Sequence, residues 1–242
     1  MEGQHGGVAA VFGGDSGIGA AVAARLTQEG YDVHVADLTG SPPVDVTDED
    51  AVQIFLEGIV ERAGSLDLVV NSAGTSTFGL VTEHDAAEFR RVVDVCLTGS
   101  FLVLKHAGRL LGEGGSVVSI ASLNARQPGA GLSAYCAAKA GLVMLTEVAA
   151  LELAGRGVRV NAVSPGLVPT PLTAPALDIP GVEEDYLENT PLGRAGTPED
   201  VADAVLFLAR AGWVTGEVLD VNGGAHLRRY PDIHGHVMRA FG

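Results

Sequence analysis

The chain has 242 residues, 47% hydrophobic, 5% aromatic and 19% charged, enough for one large domain or two small ones with a core that needs no disulfide or structural metal. Its 15 basic and 30 acidic side chains give a net charge of −15; such a surface repels phosphate backbones and anionic lipid, so no nucleic-acid or membrane-surface binding is expected. Cys96 and Cys136 have no metal-ligand spacing, residues 1–7 are polar and glycine-rich, and the first apolar run is five residues long. Together these point to a reduced, cytoplasmic protein with no metal site, signal segment or membrane span.

Short Val- and Ile-rich runs alternate with stretches of helical period. Strands are predicted over 8–12, 32–36, 66–70, 116–120, 159–162 and 217–221, and helices over 18–29, 48–62, 85–111, 134–154 and 198–209. That alternation predicts an α/β fold, a single Rossmann-like, doubly wound parallel sheet with helices on both faces, and nothing in 1–242 marks a domain boundary. Two stretches break the rhythm. Residues 166–196 are proline-rich and apolar, with one short helix near 182–187, and read as a substrate lid. Residues 225–242 carry His226, Arg228, Arg229, His234, His236 and Arg239 in an otherwise acidic chain. They read as a solvated or subunit-contacting tail, with capping of the site as the alternative.

The first strand runs into Gly13-Gly14-Asp15-Ser16-Gly17-Ile18-Gly19, and a helix follows directly. Glycines there let the backbone turn and approach a pyrophosphate, which free N–H groups and the helix dipole stabilise. A lone glycine turn is weak, but Asp37 ends the second strand eighteen positions past Gly19. A carboxylate there accepts hydrogen bonds from the ribose hydroxyls of NAD and opposes a 2′-phosphate. Unit charges 4 Å apart at an effective dielectric of 20 repel by about 4 kcal/mol. Asp15 adds to that field and no Arg or Lys stands near in sequence, so NAD is favoured over NADP.

A second constellation is Tyr135-Cys136-Ala137-Ala138-Lys139, with Ser122 thirteen positions upstream at a strand end. Positions i and i+4 share a helix face, so phenol and ammonium can enter one cleft. A tyrosine titrates near 10, and activating one near pH 7 takes about 4 kcal/mol, which a lysine and an oxidised nicotinamide can supply. Tyr135 then serves as general acid/base, with Ser122 holding the same oxygen. Alone, a Tyr-x-x-x-Lys pair is ordinary helix surface; beside a cofactor turn and a serine it is a candidate site.

With these motifs in this order, the chain resembles the short-chain dehydrogenase/reductase family over nearly its whole length. Gly13, Gly17 and Gly19 match the glycine turn, with Phe12 where a threonine is usual; Asn71-Ser72-Ala73-Gly74 matches the family's Asn-Asn-Ala-Gly. Ser122, Tyr135 and Lys139 match its catalytic residues, Asn161, Pro165-Gly166 and Thr170 its segment after the sixth strand, and Asp45-Val46 its adenine contact. The resemblance implies about seven parallel strands, a homotetramer or dimer, and NAD held by Gly13, Asp15, Ser16, Gly17, Ile18, Gly19, Asp37, Leu38, Asp45, Val46, Asn71, Ala73, Gly74, Tyr135, Lys139, Pro165, Gly166, Val168 and Thr170.

Two departures stand out. Cys96 occupies the position of a family asparagine whose neighbourhood kinks the helix and binds a relay water; a buried, inert thiol and a slower or rewired relay are expected. Between Asp37 and Asp45 only eight positions, including Pro42 and Pro43, replace a helix, so a short third strand and a more open adenine pocket are expected. The implied reaction is hydride transfer between a secondary alcohol and a ketone. Leu167, Val168, Leu172, Leu177, Ile179 and Tyr186 make the lid apolar, which favours a hydrophobic or cyclic substrate. A dinucleotide-sensing protein with impaired chemistry, and a non-redox isomerase or dehydratase, are the alternatives.

Overall fold

A computed structural model describes residues 6–241. Strands β1 (Val8–Phe12), β2 (Asp32–Ala36), β3 (Leu68–Asn71), β4 (Ser116–Ile120), β5 (Arg159–Pro165) and β6 (Val218–Val221) pair in parallel in the order β2-β1-β3-β4-β5-β6. The helices are α1 (Gly17–Gln28), α2 (Glu49–Ala63), α3 (Ala86–Val93), α4 (Gly99–Leu110), α5 (Ser133–Leu153), α6 (Ala174–Leu177), α7 (Val182–Glu188), α8 (Pro198–Arg210) and α9 (Ile233–Phe241).

Strand periodicity divides the core. Val8, Ala10 and Phe12 of β1 face one side, packed with Leu56 and Ile59 of α2 and Val103 and Ala107 of α4; Ala9 and Val11 face the other, with Val22 and Leu26 of α1 and Val201, Val205 and Leu208 of α8. Both faces of β1 are therefore buried, which is why its sequence is continuously apolar. Phe12 packs edge-on against Phe55, with ring centroids 5.3 Å apart. From β1 the chain goes outward to β2, then crosses back to β3 on the other side of β1. The loops leaving β1 and β3 thus diverge, and a crevice opens at the carboxyl ends of the strands.

The sheet has six strands among the described residues rather than about seven. After β2 the chain folds back at once: the Gly40 and Val44 N–H groups both donate to the Asp37 carbonyl, and Val44 and Val46 are buried. That turn uses up the eight positions and leaves β2 as the edge. The single helix expected over 85–111 is interrupted by one π-helical turn, Asp94–Thr98. The lid segment carries two short helices, α6 and α7, where one was expected.

The C-terminal segment is not a solvated tail; it packs on its own chain as a strap. Asp185 of α7 is 7% exposed. It accepts hydrogen bonds from Arg229 Nη2 at 2.5 Å, the Asp232 N–H at 2.9 Å and Asn189 Nδ2 at 2.9 Å, and its Oδ2 lies 3.2 Å from His236 Nε2. Burial alone would raise this carboxyl; Arg229 and the other donors outweigh it and hold Asp185 below the usual aspartate range. A depressed carboxyl contributes stability above its unfolded value of about 3.9, and the contribution is lost as pH falls through the lower folded value. The strap over 228–236 is therefore expected to stay protected from hydrogen exchange down to about pH 4 and to open below it. Asp185→Asn should exchange faster at neutral pH and lack that acid step.

Candidate active site

At the end of β1, the backbone itself shapes the crevice. Gly13 has φ +69°, and a Cβ there would stand 2.7 Å from the Ala73 nitrogen; one on Gly19 would stand 1.9 Å from the Gly13 carbonyl oxygen. Only glycine permits this triple approach of β1, α1 and the segment after β3. Ser16 precedes α1 without a side-chain cap, so the first N–H groups of the helix are not engaged by it. On the far side, Gly17 faces Thr170 and Pro171 of the lid, which thereby crosses the glycine turn.

The crevice is a cavity of about 1040 Å³. Among the expected residues Gly13, Ser16, Gly17, Ile18, Asp37, Leu38, Asp45, Val46, Ala73, Gly74, Ser122, Tyr135, Lys139, Pro165, Gly166, Val168 and Thr170 line it. Asp15, Gly19 and Asn71 do not. The Asp15 carboxylate takes the Thr39 hydroxyl at 2.7 Å, while its N–H donates to Asp37 Oδ2 at 3.2 Å. Gly19 lies beneath the turn. Asn71 is buried, donating to Ser100 Oγ at 2.9 Å and accepting the Ala73 N–H at 3.2 Å, so it shapes the segment rather than facing the cavity. Asn161 likewise ties β5 to the approach to β6, through the Val214 carbonyl and the Glu217 N–H. Sequence reasoning missed Arg90, Arg91, Asp94 and Val95, which line the cleft along α3 and the π-helical turn. Their only signal was membership of a helix that needed an accurate rotation to place.

Ser122, Tyr135 and Lys139 converge where β4 ends. Lys139 is 4% exposed; its ammonium donates to the Ile120 carbonyl at 2.6 Å and lies 5.7 Å from the Tyr135 ring centroid. Both residues come from the first two turns of α5, one turn apart on the same face. Ser122, extended at φ −169°, caps the short turn 123–125, and its Oγ accepts the Asn124 N–H at 3.1 Å. With that lone pair engaged, the serine proton remains for an acceptor in the cleft. The arrangement offers a phenol, a hydroxyl donor and a buried cation around one position, which suits proton exchange with an oxygen at a reacting carbon.

Cys96 is buried in the π-helical turn. Its Sγ donates to the Thr75 carbonyl at 3.2 Å and accepts the Thr75 N–H at 3.4 Å, while its own carbonyl accepts the Ser100 hydroxyl at 2.8 Å. A Cβ on Gly74 would stand 3.8 Å from Lys139 Nζ and 3.9 Å from Cys96 Sγ. The thiol is thus a structural clip beside the lysine.

Residues 12–226 match the family model described as enoyl-(acyl carrier protein) reductase. The chain is 39% identical over 240 residues to a cis-4-hydroxycyclohexanecarboxylate dehydrogenase of Sinomonas cyclohexanicum, covering 90% of this chain and 95% of that one. It is 37% identical to carbonyl reductase family member 4 of Xenopus tropicalis, covering 91% and 98%. A short-chain type dehydrogenase/reductase from Mycobacterium ulcerans superposes with a TM-score of 0.92 at 35% identity, covering 97% and 95%. Similarity therefore spans every strand end that builds the cleft, from the glycine turn to beyond β6, and the chain belongs to the short-chain dehydrogenase/reductase family of oxidoreductases.

Proposed function

We propose that the protein is an NAD-dependent dehydrogenase interconverting a secondary alcohol and a ketone. The observation that carries this reading is the buried Lys139 ammonium beside Tyr135 and Ser122, in the same cleft whose other end holds Asp37. The glycine cradle at Gly13 and Gly19 leaves backbone where a dinucleotide's phosphates need it, so the residues present fit the cofactor. Asp37 and Leu38 would hold the adenosine ribose, Asp45 and Val46 the adenine, Lys139 the nicotinamide ribose, and Thr170 the carboxamide. No Arg or Lys lies between residues 26 and 61 to offset Asp37, which supports NAD over NADP. When bound, the nicotinamide supplies the hydride acceptor or donor.

The chain's own residues manage the proton. Tyr135 takes it from the alcohol or returns it to the carbonyl oxygen, and Ser122 donates a hydrogen bond that orients the same oxygen. Lys139 supplies a buried positive charge beside the Tyr135 ring as the proton moves. The substrate side is walled by Val168, Pro171 and Leu172, which supports an apolar or cyclic substrate, as does the ring alcohol in the name of the Sinomonas relative. Ser122, Tyr135 and Lys139 all line the cleft, which supports chemistry over a purely sensing role. We also propose a cytoplasmic homo-oligomer, dimer or tetramer, since α4 and α5 leave Phe101, Met144, Val148 and Leu151 exposed and both cysteines are free.

Incubation with NAD and cyclohexanol, 2-heptanol or cis-4-hydroxycyclohexanecarboxylate is expected to give NADH fluorescence with at least one of them. Tyr135→Phe should lower kcat by about 10²- to 10⁴-fold, and an unchanged rate would remove the acid/base assignment. Product without NADH would instead indicate non-redox chemistry. Asp37→Ala should reduce the preference for NAD over NADP on the order of 10- to 100-fold; a preference left intact would sink the ribose assignment.

A further inference from the structure

The strap reaches past the lid to the loop that carries Ser122. Tyr230 Oη lies 2.6 Å from Tyr186 Oη of α7, with the two rings edge to face at 5.8 Å, and donates to Asn124 Oδ1 at 3.2 Å. Tyr186 is left as the donor to Tyr230. Asn124 is buried; its Nδ2 donates to the Gln127 carbonyl at 3.0 Å, and Gln127 Nε2 donates to the Arg228 carbonyl. The strap and the serine loop are thus joined at two points. Burial pushes both phenols up, Tyr230 to about 12 and Tyr186 further, so both keep their protons. A Cβ on Gly129 would stand 2.6 Å from the Tyr230 ring, and His234 stacks on Phe78 at 6.5 Å. The strap therefore touches three loops around the chemical end of the cleft: the one after β3, the one after β4, and the lid.

We propose that Tyr230 is a positioning residue for Ser122, holding Asn124 so that the turn 122–125 aims the serine hydroxyl at the reacting oxygen, with Asp185 fastening Tyr230 in place. The proposal rests on the reading of Ser122 given above. Asn124 links the two because its side chain accepts from Tyr230 while its backbone N–H donates to Ser122 Oγ. The turn is a single 3₁₀ unit of three residues, which has little rigidity of its own and depends on such anchors. Without Tyr230's hydroxyl, a buried amide oxygen loses its donor and the turn is free to relax. Small misplacements of an orienting group are costly in rate while leaving binding of distant parts intact.

The test is a double-mutant cycle between Tyr230→Phe and Ser122→Ala, read on the fastest alcohol of the panel above with NAD, with urea unfolding to confirm folded protein. Tyr230→Phe keeps the ring and is expected to lower kcat about five- to tenfold, the worth of one hydrogen bond, with the KM for NAD unchanged. In the Ser122→Ala background the same substitution should have no effect. Asp185→Asn serves as a second variant, with a similar fall in kcat that adds nothing to that of Tyr230→Phe. Independently of turnover, exchange of the Asn124 amide should speed at least about fivefold in Tyr230→Phe. A parental kcat in Tyr230→Phe, an equal loss in both serine backgrounds, or unchanged Asn124 exchange would overturn the proposal. A Ser122→Ala enzyme at parental rate would instead identify the serine assignment as the error.

Discussion

The structure is organised around one uncomfortable charge. Of the two lysines, Lys105 pairs with Glu49 at 2.5 Å near the surface, whereas Lys139 is buried with one carbonyl partner and, among the described residues, no carboxylate in salt-bridge reach. Burying an ammonium this way costs several kcal/mol, and an acid beside it would lower that cost. It would also cancel the field that the ammonium exerts on the Tyr135 ring. The fold tolerates the cost because α5 is clamped there: Ala134 and Ala138 pack in one buried cluster with Val92 and Cys96, and β4 ends with its Ile120 carbonyl aimed at the nitrogen.

The exchange of asparagine for Cys96 fits that constraint. A thiol is a weak donor and a weak acceptor, yet Cys96 performs both functions toward the backbone of Thr75. These two soft bonds hold the π-helical turn against the segment after Gly74. Cys96 thus joins the π-helical turn to the segment after β3 immediately beside Lys139.

The sheet and the converging triad were legible in the sequence because their signals are local. Parallel strands buried on both faces read as continuous apolar runs, and Tyr135 and Lys139 are one helical turn apart. The π-helical turn was not legible: one extra residue rotates the downstream pattern by about 100°, but Phe101-Leu102-Val103-Leu104 is apolar on every side and hides the change of phase. The absent strand was half legible, since Pro42 and Pro43 announced a shortened segment, but the return of Val44 to the Asp37 carbonyl is a tertiary closure. The strap was invisible because Asp185 and Arg229 lie 44 residues apart and Asn124 and Tyr230 lie 106 apart, with no pattern linking them.

The basic tail of an acidic protein follows from what it covers. Helix α7 has the sequence Val-Glu-Glu-Asp-Tyr-Leu-Glu, four acids in seven residues, and is too short to be stable by itself. The residues that meet it, Arg229 and His236, come from the most cationic stretch of the chain. One segment, 166–196, thus touches the glycine turn through Thr170 at one end and takes the strap through Asp185 at the other. Its short helices owe their placement to contacts at both ends. None of residues 228–236 lines the cleft; they bear on it at one remove, through α7 of the lid and the loop after β4.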